Sequence, residues 1–233
     1  MRVSWLLGAI VALGLSSTGH AASITILPAG DLGPPAGYGS GATFDTVSAE
    51  AYGSTAPFGS FVEGGAAFSG SGVVMNNGEQ PFLGLYATPY GDSTNYMAVL
   101  GGGSENIVYS GLKTVFGLYW GSVDTYNYLT FYNGGTVVAT ITGSDVAPFM
   151  QADGGQTDYT SNGYVWITAL PQFDRVVAAS SSYSFEFDNV VAGGATLSAA
   201  VPEPSTWAML LLGFAGLGYA AVRRNKGPIS AIA

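Results

Sequence analysis

Any chemistry in this chain has to come from carboxylates, because the side chains that more often supply it are missing. None of the 233 residues is a cysteine, and the only histidine, His20, lies in an N-terminal segment expected to be removed. Zinc sites and histidine-activated nucleophiles are therefore excluded from the mature chain. Glycoside hydrolysis needs only two acids at a set separation across a sugar. Glu50, Glu63, Glu79, Glu105, Asp124, Glu186 and Asp188 are the candidates, and their spacing does not say which of them converge. Calcium also needs only oxygen, from Asp, Asn and backbone carbonyls. Asp153 with Asp158 is the candidate calcium pair, beside Asp124 with Asn127 and Asp188 with Asn189, although none fits an EF-hand loop. The same residue types close turns by bonding their own backbone, which is the plainer expectation for them. A third chemistry is sugar stacking, with Trp120, Trp166 and the tyrosines offering ring faces and Asp124 and Asn127 bonding hydroxyls. Against it, aromatics at alternate strand positions usually belong to a core. The run Gly101-Gly102-Gly103 is not a phosphate loop, since no Lys-Ser/Thr follows.

The elements that must position these residues read as strands. Glycine (35), tyrosine (14) and phenylalanine (12) are abundant, and no long stretch of 3.6 periodicity occurs between Ser23 and Ala200. Strand-like runs cover Ser23–Leu27, Ala66–Met75, Thr94–Leu100, Asn106–Tyr109, Leu112–Trp120, Tyr126–Tyr132, Thr136–Thr142, Gly163–Leu170, Phe173–Ala179 and Ser182–Val191. Asn133-Gly134-Gly135 between two of them predicts a tight hairpin. Alternation places Leu129 and Phe131 on one face and Tyr128 and Thr130 on the other. It likewise places Tyr183, Phe185 and Phe187 opposite Ser184, Glu186 and Asp188. One packed face and one wet face predict an antiparallel sandwich over residues 23–200. All the acids but Glu203 lie in that domain, against only Lys113 and Arg175, so nucleic acid is excluded as a partner.

The two ends carry addresses. Arg2, the apolar run Val3–Leu15 and the small residues Ser16–Ala22 have the layout of a signal peptide over residues 1–22, with Gly19 and Ala21 suited to cleavage after Ala21. At the other end, Pro202-Glu203-Pro204 lacks two backbone donors and is held extended. An uncharged run over residues 206–222 follows. At a rise of about 1.5 Å per residue it is long enough for most of a bilayer core. Arg223, Arg224 and Lys226 then form a basic stop at 223–226, which predicts a cytoplasmic tail at 227–233.

The segment Val201-Pro202-Glu203-Pro204-Ser205-Thr206-Trp207, the glycine-containing apolar run and Arg223-Arg224 together resemble the PEP-CTERM sorting signal. The resemblance spans residues 201–226. It implies recognition by exosortase, a membrane-embedded protease of exopolysaccharide-producing Gram-negative bacteria, with processing near Pro202–Pro204 and a transient membrane helix. A second resemblance lies in Phe116-Gly117-Leu118-Tyr119-Trp120-Gly121-Ser122-Val123-Asp124, in Leu129 to Gly135, in Tyr96 to Gly103 and in Phe185-Glu186-Phe187-Asp188-Asn189. These look like the signature of a family of exosortase-dependent surface proteins, which implies a jelly-roll sandwich and no particular activity. The expectation is a non-enzymatic, exported protein of the cell surface or exopolysaccharide matrix, structural or adhesive, with no cofactor unless calcium is bound. A carbohydrate-binding module and a carboxylate-dependent glycosidase are the alternatives.

Overall fold

A computed structural model describes residues 22–27, 31–38, 41–50, 54–76 and 85–194. The expected signal peptide up to residue 21, Glu79, the Pro202–Pro204 motif, the 206–222 helix, the basic stop and the tail lie outside the described residues. Among the described residues, no helix is long and apolar enough to cross a membrane.

The described chain is an all-β sandwich of two six-stranded antiparallel sheets. The first sheet contains β1 (Ser23–Ile26), β4 (Gly72–Met75), β5 (Tyr96–Val99), β7 (Val115–Gly121), β10 (Gly163–Thr168) and β12 (Phe185–Gly193). The second contains β2 (Phe61–Glu63), β3 (Ala66–Gly70), β6 (Ser104–Lys113), β8 (Asn127–Asn133), β9 (Thr136–Thr142) and β11 (Phe173–Ser180). The first sheet runs β1-β10-β7-β12-β5-β4 and the second β2-β3-β6-β11-β8-β9.

The last eight strands follow one rule. β8 pairs with β9, β7 with β10, β6 with β11 and β5 with β12, all antiparallel. They form a long double-stranded ribbon folded over on itself, with the Asn133-Gly134-Gly135 turn at its tip. Gly134 has φ +57, the left-handed value that such a turn requires. Folding the ribbon brings β12 beside β7 and β11 beside β8, which completes the two sheets.

The inner faces supply one apolar core. Phe116, Leu118 and Trp120 of β7 meet Leu129 and Phe131 of β8, Phe173 and Val176 of β11, and Phe185 and Phe187 of β12. Rings of Phe131 and Phe173 lie 5.1 Å apart at 74°, and Phe116 lies 5.4 Å from Phe131. Burying an aromatic side chain of this size stabilises a fold by roughly 2–3 kcal/mol.

The outer faces differ. On the second sheet Tyr128, Thr130 and Tyr132 are partly exposed, and Arg175 lies over the Tyr132 ring at 3.9 Å. The outer face of the first sheet is covered except at edge strand β1, where Ser23 and Thr25 are exposed. Leu27 and Leu32 pack with Val115, Tyr119, Tyr164, Trp166 and Val191, and the Tyr38 ring meets Trp166 at 4.5 Å. A strap of irregular chain, Leu85 to Asn95, closes the rest. Tyr86 packs with Val73, Met75, Tyr96 and Ala98. The Tyr119 hydroxyl donates to the Tyr90 carbonyl at 2.5 Å.

Two sequence expectations are corrected here. The run Ala66–Met75 is two strands in different sheets, because the chain turns at Ser71. The Ser71 amide donates to Ser104 O at 2.9 Å, and the Ser104 amide donates to Ser71 Oγ at 2.8 Å. The face that carries Glu186 and Asp188 on β12, and Ser184 just before it, is dry rather than wet, since the strap lies over it.

Candidate functional site

β7 ends at Gly121, and the turn that leads to β8 is built around a strained serine. Ser122 has φ +38, a left-handed conformation unusual for a residue with a side chain. Its amide donates to Asn162 Oδ1 at 2.8 Å, and its hydroxyl donates to Glu186 Oε2 at 2.7 Å. Asn162 also accepts from the Tyr90 amide at 3.0 Å and donates to the carbonyls of Gly155 and Asp158 at 2.7 and 2.9 Å. One side-chain amide thus ties together the β7 end, the strap and the segment that precedes β10. The next residues are held by backbone: Val123 N donates to Ser161 O, Gly154 N donates to Val123 O, and Asp124 bridges Asp153. Gly154 sits at φ +72, which favours glycine, and a Cβ there would also press on the Asp124 carboxylate at 2.6 Å.

These segments enclose an open cleft of about 290 Å³ at one end of the sandwich. Asp124, Tyr126, Asp153, Gln156 and Tyr183 line it, with Ser122, Ser184 and Glu186 also on its wall. The Tyr126 and Tyr183 rings are 6.2 Å apart and inclined at 51°, and Tyr183 is 58% exposed. Burial raises the Asp124 carboxyl above its ordinary range, a hydrogen bond with Tyr126 opposes this, and the charge of Asp153 adds to it. Burial, the bond to Asp124 and the charges of Asp124 and Glu186 together raise Tyr126 well above a normal phenol.

Glu186 differs from the other acids of the cleft. It is 1% exposed, and burial pushes its carboxyl up to about 7. Its Oε1 accepts from the Ala87 amide at 3.1 Å and lies against the Ser184 hydroxyl, which also meets Leu85 O, and its Oε2 accepts from Ser122. With both oxygens already engaged, this carboxyl clips the strap to β12 and offers no free oxygen pointing at the cleft. A second buried acid follows on the same face. Asp188 is fully buried, and burial with the charge of Asp92 pushes it up to about 8.

Of the residues that sequence pointed to, Asp124 lines the cleft and Trp120 and Asn127 do not. Trp120 is completely buried in the core, tilted against Phe185 at 4.5 Å, so it presents no face to a glycan. Asn127 is completely buried at the start of β8. Trp166 is covered by Tyr38. The candidate calcium pair closes local turns. Asp153 Oδ1 accepts from Ser161 Oγ at 2.5 Å and Gly155 N at 3.2 Å, and Asp158 Oδ1 accepts from the Thr160 amide at 2.8 Å and from its hydroxyl. Those donors hold Asp158 below the usual carboxylate range. Among the described residues, no three acidic side chains gather where they could share a metal ion. Tyr126, Tyr183 and Gln156 were not singled out individually by sequence. The alternation that groups Tyr183 with Phe185 and Phe187 does not hold at Tyr183, because β12 starts only at Phe185. The serine run before it, Ser180 to Ser182, was the available sign that this tyrosine belongs to a turn.

The fold and cleft define an all-β sandwich with an acidic, tyrosine-lined recess. Residues 200–225 match the model of the PEP-CTERM protein-sorting motif. That motif marks an exosortase-targeted bacterial surface protein, exported with a membrane-anchoring sorting signal. No curated protein and no solved structure matches the chain.

Proposed function

We propose that this is a non-catalytic jelly-roll sandwich that exosortase processes near Pro202–Pro204 and delivers to the surface or exopolysaccharide matrix of a Gram-negative bacterium. Its role there is structural or adhesive. The observation that carries this reading is the sorting motif at residues 200–225, ahead of which the described residues form a β-sandwich without histidine or cysteine. Mass spectrometry of the mature C-terminus tests it. In wild-type cells the chain should end near Pro202–Pro204, and in exosortase-deficient cells it should continue through Arg224. An intact Ala233 in both would overturn it.

The cleft supports a second reading, that the adhesive contact is with a carbohydrate. Two tyrosine rings at 6.2 Å beside the acceptors Asp124 and Asp153 and the amide of Gln156 suit pyranose C–H faces and hydroxyls. Binding is favoured over hydrolysis because Glu186, the one carboxyl in the cleft pushed up to about 7, spends both oxygens on the strap and Ser122. A glycan array is the check. Binding to at least one neutral or acidic glycan is expected, with Tyr183→Ala weakening it about tenfold, equivalent to ~1.4 kcal/mol. Release of reducing sugar from the bound glycan would replace this reading with the hydrolytic one.

A further inference from the structure

Besides its ties at Tyr90, the strap that covers the first sheet meets two carboxylates of β12. At Glu186 each oxygen has a donor of its own, the Ala87 amide on one and the Ser122 hydroxyl on the other. At Asp188 the chemistry is incomplete. Asp92, in the strap, and Asp188, on β12, both approach the hydroxyl of Thr94. Thr94 Oγ1 lies 2.5 Å from Asp92 Oδ1 and 2.7 Å from Asp188 Oδ2. A hydroxyl carries one proton, so it donates to one of these carboxylates and meets the other with a lone pair. The remaining oxygens are also unprovided for. Asp92 Oδ2 and Asp188 Oδ1 are buried and make no hydrogen bond. The Phe44 and Asn189 amides lie close enough to favour the charged form of Asp188, yet neither bonds Oδ1.

No basic side chain neutralises this pair. Lys113 and Arg175 are the basic residues among those described, and both are engaged on the second sheet, with Tyr109 and with Tyr132 and Asn106. Asp45, whose Oδ1 accepts from the Asn95 amide, adds further negative charge beside Asp92. A proton on one carboxyl would explain the short contact to Thr94, but it would leave the two orphaned oxygens as they are. A hard cation held by both carboxylates and the hydroxyl would account for all of them.

We propose that Asp92, Asp188 and the Thr94 hydroxyl form a calcium site that fastens the strap to the outer face of the first sheet. Calcium fits the donor set better than magnesium. It accepts six to eight oxygens in irregular geometry and binds carboxylates through both oxygens, whereas magnesium demands a tight octahedron. Two carboxylates with one hydroxyl, completed by water, put the affinity at about 0.1–1 mM, the range of extracellular calcium modules. The site is separate from Asp153 and Asp158, whose oxygens already close turns.

The full chain, purified in detergent and stripped with a chelator, is titrated with calcium chloride alone while thermal unfolding is followed. The expected result is a saturable rise in Tm of roughly 4–8 °C by ~10 mM calcium, with little response to magnesium. Isothermal titration calorimetry should give one calcium per chain. Asp188→Asn and Asp92→Asn should each abolish the rise, and Asp153→Asn should keep it. Asp92 is only partly buried, so its variant decides the matter if Asp188→Asn does not fold. A flat titration would overturn the proposal, as would a rise that persists in both asparagine variants. A higher Tm of Asp188→Asn in chelator, together with no calcium response in the wild type, would assign the pair a shared proton and also overturn it.

Discussion

The second sheet is dry on one side and wet on the other, whereas the first is dry on both inward of its edge strand β1. On β8, Leu129 and Phe131 turn inward while Tyr128 and Thr130 meet solvent. On β7, Phe116, Leu118 and Trp120 turn inward, and Val115 and Tyr119 on the opposite face are just as buried. Both strands have comparable inner packing, so the difference arises from irregular chain laid over the first sheet. A strand's own alternation reports which residues share a face. It does not report whether something distant covers that face.

This contrast can be broken by cutting outward aromatics. Tyr164 is an outward residue of β10, fully buried, and its hydroxyl donates to Asn189 O at 3.1 Å. Tyr164→Ala should cost about 3–5 kcal/mol in urea unfolding, as much as truncating a core ring. Tyr128→Ala, its counterpart on the second sheet, should cost less than about 1 kcal/mol. Equal costs would erase the distinction between the two outer faces.

Glu186→Ala tests the strap more directly. It leaves the Ala87 amide and the Ser122 hydroxyl without their acceptor, at a cost of about 2–3 kcal/mol. Limited proteolysis should then cut within residues 85–95, a region the wild type protects.

A smaller effect comes from Glu105, an acid on β6 that is 1% exposed. Its Oε2 accepts from the Gly72 amide at 2.9 Å, its Oε1 has no partner, and burial pushes the carboxyl from 4.5 to about 7. The folded chain holds this proton to about pH 7, and the unfolded chain loses it near 4.5. The neutral carboxyl's contribution is therefore complete below pH 4.5, declines as pH rises through that window, and stays lost above it. Tm measured against pH should fall more steeply in the wild type than in E105Q between those limits. Parallel curves would mean that the acid is hydrated. Smallest of all, Tyr183→Ala should change stability by under about 0.5 kcal/mol, because that ring belongs to the cleft and supports neither sheet.

Much of the second sheet was legible from sequence because its signals are local. Asn133-Gly134-Gly135 marks the hairpin, and the Leu129, Phe131 alternation marks the inward face of β8. The sorting signal was legible for the same reason, since its parts are contiguous. What sequence missed depends on distant segments. Glu186 and Asp188 read as solvated because nothing near them announces Leu85 to Asn95. Trp120 read as a candidate sugar platform because its type fits both roles, and only its place between the sheets separates them. The corner at Ser71 needs Ser104, which is distant in sequence.

The nested pairing has a consequence for the order of assembly. β12 is the final strand of the sandwich, yet it sits in the middle of the first sheet, between β7 and β5. Until it is in place, β1, β10 and β7 form one fragment and β5 with β4 another, with no seam between them. The ribbon can close from its tip, where the loop is shortest, but β5 and β12 meet only after the longest loop has been drawn in. In a chain made from its N-terminus, the first sheet thus remains two fragments until β12, at residues 185–193, is available. Completion of the sandwich and arrival of the sorting tail are close to a single event in the life of the molecule.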